Sequence, residues 1–418
     1  MLTKAPRGTK DVLPDESYKW QYLEKTMRDL CEIYGFKEIR TPGFEHTELF
    51  LRGVGETTDI VRKEMYTFND RGGRSITLKP EGTSPAVRAF IEHNLYANTQ
   101  PTKLYYITPV YRYERPESGR LREHHQFGVE VFGANSASSD AEIINIAMSL
   151  FKKLGVNNLE LHINSIGCPL CRKNYNEVLK NYIKKNLDYL CDDCKSRYET
   201  NPLRVLDCKV ESCQLVMKNA PAITDYLCDD CKTHFEDLKS YLDASGQKYI
   251  VDPKIVRGLD YYTRTAFEII SKNIGSQGTV CGGGRYDGLI EECGGPPTPG
   301  VGFGMGIERL LLVLEEQGIK IPIPDRPDLF IASIGEKSKI FSFALAQKLR
   351  FKGIKVEIDN LDRSLKAQMK YANKLNSKFT IVIGEEEIAS NIVKLKNMED
   401  SSEIEINIEE LEKILRNI

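Results

Sequence analysis

The spacing of apolar positions changes several times along the chain, and each change marks an element. Tyr18, Tyr22, Met27, Leu30 and Tyr34 recur at helical spacing and predict a helix over 17–34. Gly35 to Pro42 reads as a strand stopped by its proline. Lys79 to Pro85 is a turn that starts a helix, with Ser84 as the cap and Pro85 as the first helical residue. Residues 105–113 and 127–133 read as strands around a charged loop, 115–123, so a long antiparallel hairpin with a basic tip is predicted. A helix over 140–154 and a strand over 159–163 follow. β-Branched and aromatic residues beyond Arg257, through Phe267 and Ile269, predict another strand. Residues 278–288 read as a Gly-rich turn, and 298–316 as a Gly-rich strand feeding an apolar helix.

Two segments have a different character. Residues 168–248 are rich in Lys, Asp and Tyr, carry helical runs over 172–189 and 233–244, and hold eight of the eleven cysteines. They read as an insertion into the first domain. Residues 319–327 contain three prolines and mark a linker. Beyond it, strands over 328–334, 355–358 and 379–384 alternate with helices over 337–352 and 362–375, and a last helix begins near Ile408. That is a βαβ module with a parallel core. The expected domains are therefore 1–325, interrupted by the insertion, and 328–418.

At 418 residues the chain is too long for one ordinary core. A hydrophobic fraction of 41% and a charged fraction of 28% fit a globular chain. The polar start (Thr3, Lys4, Arg7, Lys10, Asp11) is not a secretory signal, and no apolar run is long enough to span a membrane. A cytoplasmic location is expected. A net charge of −2 gives no overall basic field, although local arginine clusters can still hold a polyanion.

Three segments carry candidate chemistry. In Arg257-Gly-Leu-Asp-Tyr-Tyr-Thr-Arg-Thr265 a permanent cation stands beside a flexible glycine and two phenols. This suits a small polar ligand with an anionic group. The bland alternative is an Arg257–Asp260 ion pair at a turn. On the hairpin, strand alternation puts Arg112 and Glu114 on one face, and the loop adds Arg115, Arg120 and Arg122. Four arginines suit a triphosphate, while a salt-bridged surface ribbon is the competing account. Glycines at 300, 302, 304 and 306 alternate, and Ile307 breaks the dinucleotide fingerprint. Alternating glycines instead clear one strand face for a flat ligand, with Arg309 in the next helix able to reach it.

These segments together resemble the class II aminoacyl-tRNA synthetases, and specifically the histidyl-tRNA synthetase family. Phe36–Pro42 is similar to motif one, Arg112–Arg115 with Phe127–Glu130 to motif two, and Gly302–Arg309 to motif three. Arg257–Thr265 and Cys281-Gly-Gly-Gly-Arg-Tyr-Asp-Gly288 resemble the two histidine-specific signatures, and Pro6–Asp11 the family's N-terminal segment. The resemblance implies an α+β catalytic domain built on an antiparallel sheet, a small helical insertion and a C-terminal α/β anticodon-binding module. It implies an ATP- and Mg²⁺-dependent ligase of L-histidine and tRNA(His), acting as a homodimer.

The residue roles it implies are these. Arg112 and Arg309 hold the ATP phosphates, with Glu114 and Arg120 close to the nucleotide. Glu81, Thr83 and Gln126 bind the α-amino end of histidine. Glu130 and Tyr262 read the imidazole, while Tyr261 and Tyr286 complete the pocket. Arg257 contacts the carboxylate and the α-phosphate. Glu117, at the hairpin tip, faces the first base pair of the acceptor stem. In the tail, Arg363, Lys366, Lys370 and Lys374 fall at helical spacings that could face RNA or simply solvent. The runner-up function is a catalytically silent paralogue that regulates histidine biosynthesis. Such relatives usually lack the tail and degrade the signatures.

Cys168, Cys171, Cys191, Cys194, Cys208, Cys228 and Cys231 are candidate zinc ligands, three pairs of them at C-x-x-C spacing. Reduced structural cysteines in a helical insertion are the favoured alternative, because the family's chemistry does not require this metal.

Overall fold

The computed structural model describes residues 3–55, 58–272 and 278–417 and divides into two compact units, Met1–Pro322 and Ile323–Ile418. In the first unit an eight-stranded sheet runs in the spatial order 37–38, 102–111, 123–132, 300–306, 279–285, 263–271, 159–165 and 250–251. The six long strands pair antiparallel, and a two-residue strand pairs parallel at each edge.

Strand alternation gives this sheet two faces of different chemistry. Phe127, Val129, Val131, Phe267, Ile269, Val301, Phe303 and Met305 point into one apolar core. The helices Pro14–Ile33, Ala137–Lys153, Asp229–Ala244 and Ile307–Glu316 cover that face. The intervening residues, Gln126, Gly128, Glu130, Glu268, Gly282, Gly302 and Gly304, point the other way. On that side a second core joins Phe90, Tyr106, Tyr261, Tyr262 and Tyr286 to residues of the insertion such as Tyr175, Leu179 and Val205.

Several sequence expectations need correction. Residues 279–285 form a central strand instead of a turn. Their glycines are required by close packing, since a Cβ on Gly283 would strike the Gly302 carbonyl and Phe303, and one on Gly284 the Thr265 carbonyl. The strand over 35–42 shrinks to Lys37–Glu38. Ser84 does not cap the helix Thr83–Glu92, which begins at Gly82. Instead the Glu81 carboxylate accepts the Thr83 and Ser84 amides at 2.7 and 2.8 Å, doing the work of a cap from one residue further out.

The insertion is more helical than its two periodic runs suggested, with helices Pro169–Lys184, Asp192–Thr200, Glu211–Met217 and Asp229–Ala244. In the second unit, strands Val356–Ile358, Leu329–Ser333 and Phe379–Ile383 pair parallel, as the βαβ pattern requires. A hairpin of Ile392–Asn397 and Glu403–Asn407 extends that sheet antiparallel, an addition that the sequence reading lacked. Arg363 lies ahead of the helix Leu365–Lys374, paired with Asp359 at 2.5 Å and stacked over Tyr371. The RNA-facing candidates on that helix therefore reduce to the exposed Lys366, Lys370 and Lys374.

One buried ion pair ties the first unit together. Arg285 and Asp140 are both 0% exposed. Asp140 also accepts the Thr265 hydroxyl at 2.7 Å and lies 2.6 Å from His234 Nε2. Removing one partner strands the other charge in the interior. Asp140→Ala is expected to lower unfolding free energy by about 3–5 kcal/mol, read as a lower urea midpoint with far-ultraviolet circular dichroism little changed before the transition.

Candidate active site

Three glycines form the floor of a pocket on the polar face. Register places Tyr106 opposite Gly128, Gly128 opposite Gly304, Gly304 opposite Gly282, and Gly282 opposite Glu268. Directly opposed residues share a face, so a glycine row runs between a phenol and a carboxylate. The next row sets Glu130 opposite Gly302 and Gly302 opposite Gly284. The alternating glycines do clear a face, but this chain's own side chains already use part of the room. A Cβ on Gly302 would overlap the Glu130 carboxylate, one on Gly304 the Gln126 amide, and one on Gly282 the Arg257 guanidinium.

Glu130 lies at the bottom, 0% exposed. Its oxygens accept from Thr83 Oγ1 at 2.7 Å, from Tyr106 OH at 3.0 Å and from Tyr286 OH. Burial pushes the carboxyl up to about 8, although the hydrogen bonds from Tyr286, Thr83 and Tyr106 pull it down. The rings of Tyr261, Tyr262 and Tyr286 cluster above, with centroids 4.6, 5.5 and 6.2 Å apart. Gln126 closes one wall, its Oε1 accepting the Gly82 amide at 2.8 Å.

Arg257 lies over the same face, where a Cβ on Gly282 would meet its guanidinium. Its ion-pair partner is Glu268, not Asp260, which instead accepts from Asn201 Nδ2 at 2.7 Å. The guanidinium also sits 5.8 Å from the Tyr262 ring centroid. Glu268 accepts the Thr279 hydroxyl with its second oxygen at 2.8 Å, and Arg309 Nη1 donates to the Thr279 carbonyl at 2.7 Å. A short relay therefore connects Arg257 to Arg309. The sequence reading missed Glu268, Tyr106 and Asp140. Glu268 had left a usable signal, a carboxylate set among Ala266, Phe267, Ile269 and Ile270 in a strand.

Arg112 and Glu114 do not share a strand face, because the strand Thr102–Tyr111 ends before them. They meet in the loop instead. Arg112 Nε donates to the Pro80 carbonyl at 2.7 Å, and Glu114 lies 3.8 Å from Arg112 and 3.4 Å from Arg120. Burial, then the nearby Arg120 and Arg112 charges, loosens the Arg309 guanidinium's hold on its proton. One carboxylate shared among crowded arginines leaves positive charge for an anion to neutralise. Arg122 stacks on Tyr113 at 3.8 Å and donates to the Glu114 carbonyl at 3.3 Å. His124 stays neutral beside it, pushed down to about 3 by burial and then by Arg112.

A family model for histidyl-tRNA synthetase matches residues 8–310, and one for an anticodon-binding domain matches 328–418. A histidine–tRNA ligase of Thermoanaerobacter sp. (strain X514) is 78% identical over 418 residues, spanning 100% of both chains. Another from Alkaliphilus oremlandii (strain OhILAs) is 63% identical over 414 residues, 99% of this chain and 98% of its own. The crystal structure of apo S. aureus histidyl-tRNA synthetase superposes with a TM-score of 0.85 at 44% identity, covering 99% of each chain. The glycine-floored antiparallel sheet and its arginine-bearing hairpin are those of a class II aminoacyl-tRNA synthetase. Within that class the chain belongs to the histidyl-tRNA synthetase family.

It joins L-histidine to tRNA(His) at the expense of ATP, through histidyl-adenylate, releasing pyrophosphate and then AMP. The silent-paralogue alternative is set aside by full-length identity to ligases. Among the described residues no helix is long and apolar enough to cross a membrane.

The Glu130 carboxyl makes a testable statement about pH. Its folded-state value of about 8 exceeds the ordinary 4.5, so between those values the native state holds a proton that the unfolded chain has lost. Glu130 therefore opposes folding increasingly as pH rises through that window, and by a constant amount above it. Glu130→Gln keeps the shape and removes the charge. In denaturation series across that window without substrates, the variant should lose less stability with rising pH than the parent. Parallel curves would contradict a buried titrating carboxyl here.

Proposed function

We propose that the pocket divides the work of adenylate formation among the residues around its glycine floor. The single observation that carries this division is the placement of Glu130 and Arg257 over one glycine-cleared sheet face, one a buried acceptor and the other a half-buried cation. Glu130 and Tyr262 read the imidazole, which offers one donor and one acceptor. An amino acid lacking those groups leaves buried polar atoms unpaired and is rejected. Glu81, Thr83 and Gln126 receive the α-ammonium group, and Tyr261 and Tyr286 wall the ring. Arg257 holds the histidine carboxylate and, once ATP is bound, its α-phosphate. Arg112 and Arg309 hold the outer phosphates, with Glu114 and Arg120 beside the nucleotide.

In this division no side chain acts as a nucleophile. The histidine carboxylate oxygen forms a bond to the α-phosphorus, and the bond to the bridging oxygen breaks as pyrophosphate leaves. The terminal ribose hydroxyl of tRNA then attacks the adenylate carbonyl, and AMP departs. The arginines stabilise charge that develops on the phosphate oxygens, in a site already organised for it. Mg²⁺ suits the donors present, since it binds through one or two carboxylates together with substrate phosphates. Burial and then the nearby Glu114 carboxylate raise the Glu64 carboxyl, so the two acids lie near each other beside the arginines, and these two would hold the ion. When bound, it neutralises phosphate charge.

Residues 328–418 bind the anticodon region of tRNA(His), with Lys366, Lys370 and Lys374 as the cationic face. The hairpin tip with Glu117 meets the acceptor stem, where a carboxylate accepts from a cytosine or guanine amino group. The enzyme works as a homodimer in the cytoplasm, its partner copy covering the motif-one side.

Arg257→Ala is expected to slow histidine-dependent pyrophosphate exchange by about 10²–10³-fold, with histidine affinity changed far less. Unchanged exchange would sink the role given to Arg257. Truncation after residue 325 should keep pyrophosphate exchange and lose tRNA charging. Loss of both activities in a folded truncated protein would remove the RNA role from the tail.

A further inference from the structure

The eight cysteines of the insertion form two separate quartets. Cys168, Cys171, Cys228 and Cys231 make one, and Cys191, Cys194, Cys208 and Cys213 the other. Within each quartet all sulfurs lie within 4.8 Å of one another. Cys213, left out of the sequence-based ligand set, completes the second. The sequence reading had favoured reduced structural cysteines. Such residues pack as small apolar fillers and have no reason to converge four at a time, twice.

The spacing fits a single tetrahedral ion held by four thiolates. Sulfurs stand 3.6 Å apart for Cys168 and Cys171, 3.9 Å for Cys168 and Cys228, and 3.8 Å for Cys191 and Cys208. A disulfide requires about 2.0 Å. A tetrahedral zinc with Zn–S bonds of about 2.3 Å sets its ligands about 3.8 Å apart. An iron–sulfur cube spreads its four thiolates over separate irons and needs a wider cage.

The backbone repeats one device around these sulfurs. Cys168, Cys191 and Cys228 each stand at the N-cap of a helix, and Cys171, Cys194 and Cys231 fall in its first turn. Helix N-termini favour thiolate over thiol. The Cys228 amide donates to Cys171 Sγ at 3.1 Å, and the Cys191 amide to Cys213 Sγ at 3.2 Å. Such bonds orient metal thiolates from outside the ligand set.

Both quartets border the segment that carries Arg257 and Tyr262. Arg172, next to Cys171, donates to the Tyr262 carbonyl at 3.1 Å. Gly167, next to Cys168, accepts the Arg264 amide at 2.9 Å. Its φ of +65° and its contact with the Cys171 side chain leave room only for glycine. Between Cys194 and Cys208, Arg204 donates to the Arg257 carbonyl at 3.3 Å, and Asn201 holds Asp260.

We propose that each quartet binds one zinc ion, and that the two centres fix the insertion helices that brace residues 257–264. The metal assignment stands independently of the residue roles proposed above, and only the histidine readout rests on them. Protein purified without chelator from zinc-supplemented cells should carry about two zinc ions per chain by mass spectrometry. Cys213→Ser and Cys231→Ser should each carry about one. Cobalt-exchanged protein should show the thiolate-to-metal charge-transfer and visible bands of a tetrahedral tetrathiolate site, a signature that does not depend on activity. Stripping zinc should raise KM for histidine in pyrophosphate exchange by at least about tenfold and KM for ATP much less, and zinc should reverse the change. Folded, active protein without zinc, iron in its place, or disulfides by mass spectrometry under non-reducing conditions would overturn the assignment. Zinc that can be removed without altering histidine KM would overturn the bracing role.

Discussion

Everything in the catalytic unit depends on how closely backbone and side chain approach over one face of the central sheet. Glycines at 128, 282, 302 and 304 lower that face by a side-chain layer. Tyr106, Gln126, Glu130 and Arg257 occupy the depth so gained. Any Cβ at these positions meets a functional group instead of solvent. The opposite face of the same strands carries Phe127, Val129, Phe303 and Met305 and binds the helices. One set of strands thus holds a hydrophobic core with alternate residues and a polar pocket with the rest.

The pocket keeps its charges under tension. Glu130 is buried with three hydroxyl donors and no cation in contact, so its carboxyl holds a proton more tightly than usual. Arg309 is half-buried near Arg120 and Arg112, so its cation is disfavoured by lost solvation and by their charges. The two are opposite in sign: a cationic or hydrogen-bond-donating group would ease Glu130, and an anionic group would ease Arg309. By contrast, Asp140 and Arg285 neutralise each other in the interior and serve the fold. The contrast separates two kinds of buried charge in adjoining strands. One is paired and structural, and the other carries the substrate roles proposed above.

Much of this was readable in the chain. Side-chain alternation gave strands of the hairpin 102–132, and short apolar runs alternating with helical spacing gave the parallel strands of the tail, which are buried on both faces. The site arginines were visible as residue types, and the family resemblance supplied their roles. Residues 279–285 were misread because glycine ordinarily signals a turn, and only strand neighbours on both sides reveal that it is there for close packing. Ser84 looked like a cap because local chemistry favours serine, yet the helix starts earlier and Glu81 takes the Thr83 and Ser84 amides. The partner of Arg257 was misjudged for a similar reason. Asp260 is near in sequence, but Glu268 is brought near by the sheet. The sorting of the cysteines into two quartets was illegible because it depends on which helices share a face, not on C-x-x-C spacing.

The relay through Glu268 carries one more implication. One carboxylate binds Arg257 with one oxygen and, through Thr279, the carbonyl that positions Arg309 with the other. A substrate that draws Arg257 away alters the balance of bonds around Thr279, and a substrate that engages Arg309 alters it from the far end. With Arg257 on the amino acid and Arg309 on the nucleotide, as proposed above, the two sites would not be independent. Linkage is reciprocal, so whatever factor histidine contributed to ATP binding, ATP would contribute to histidine binding.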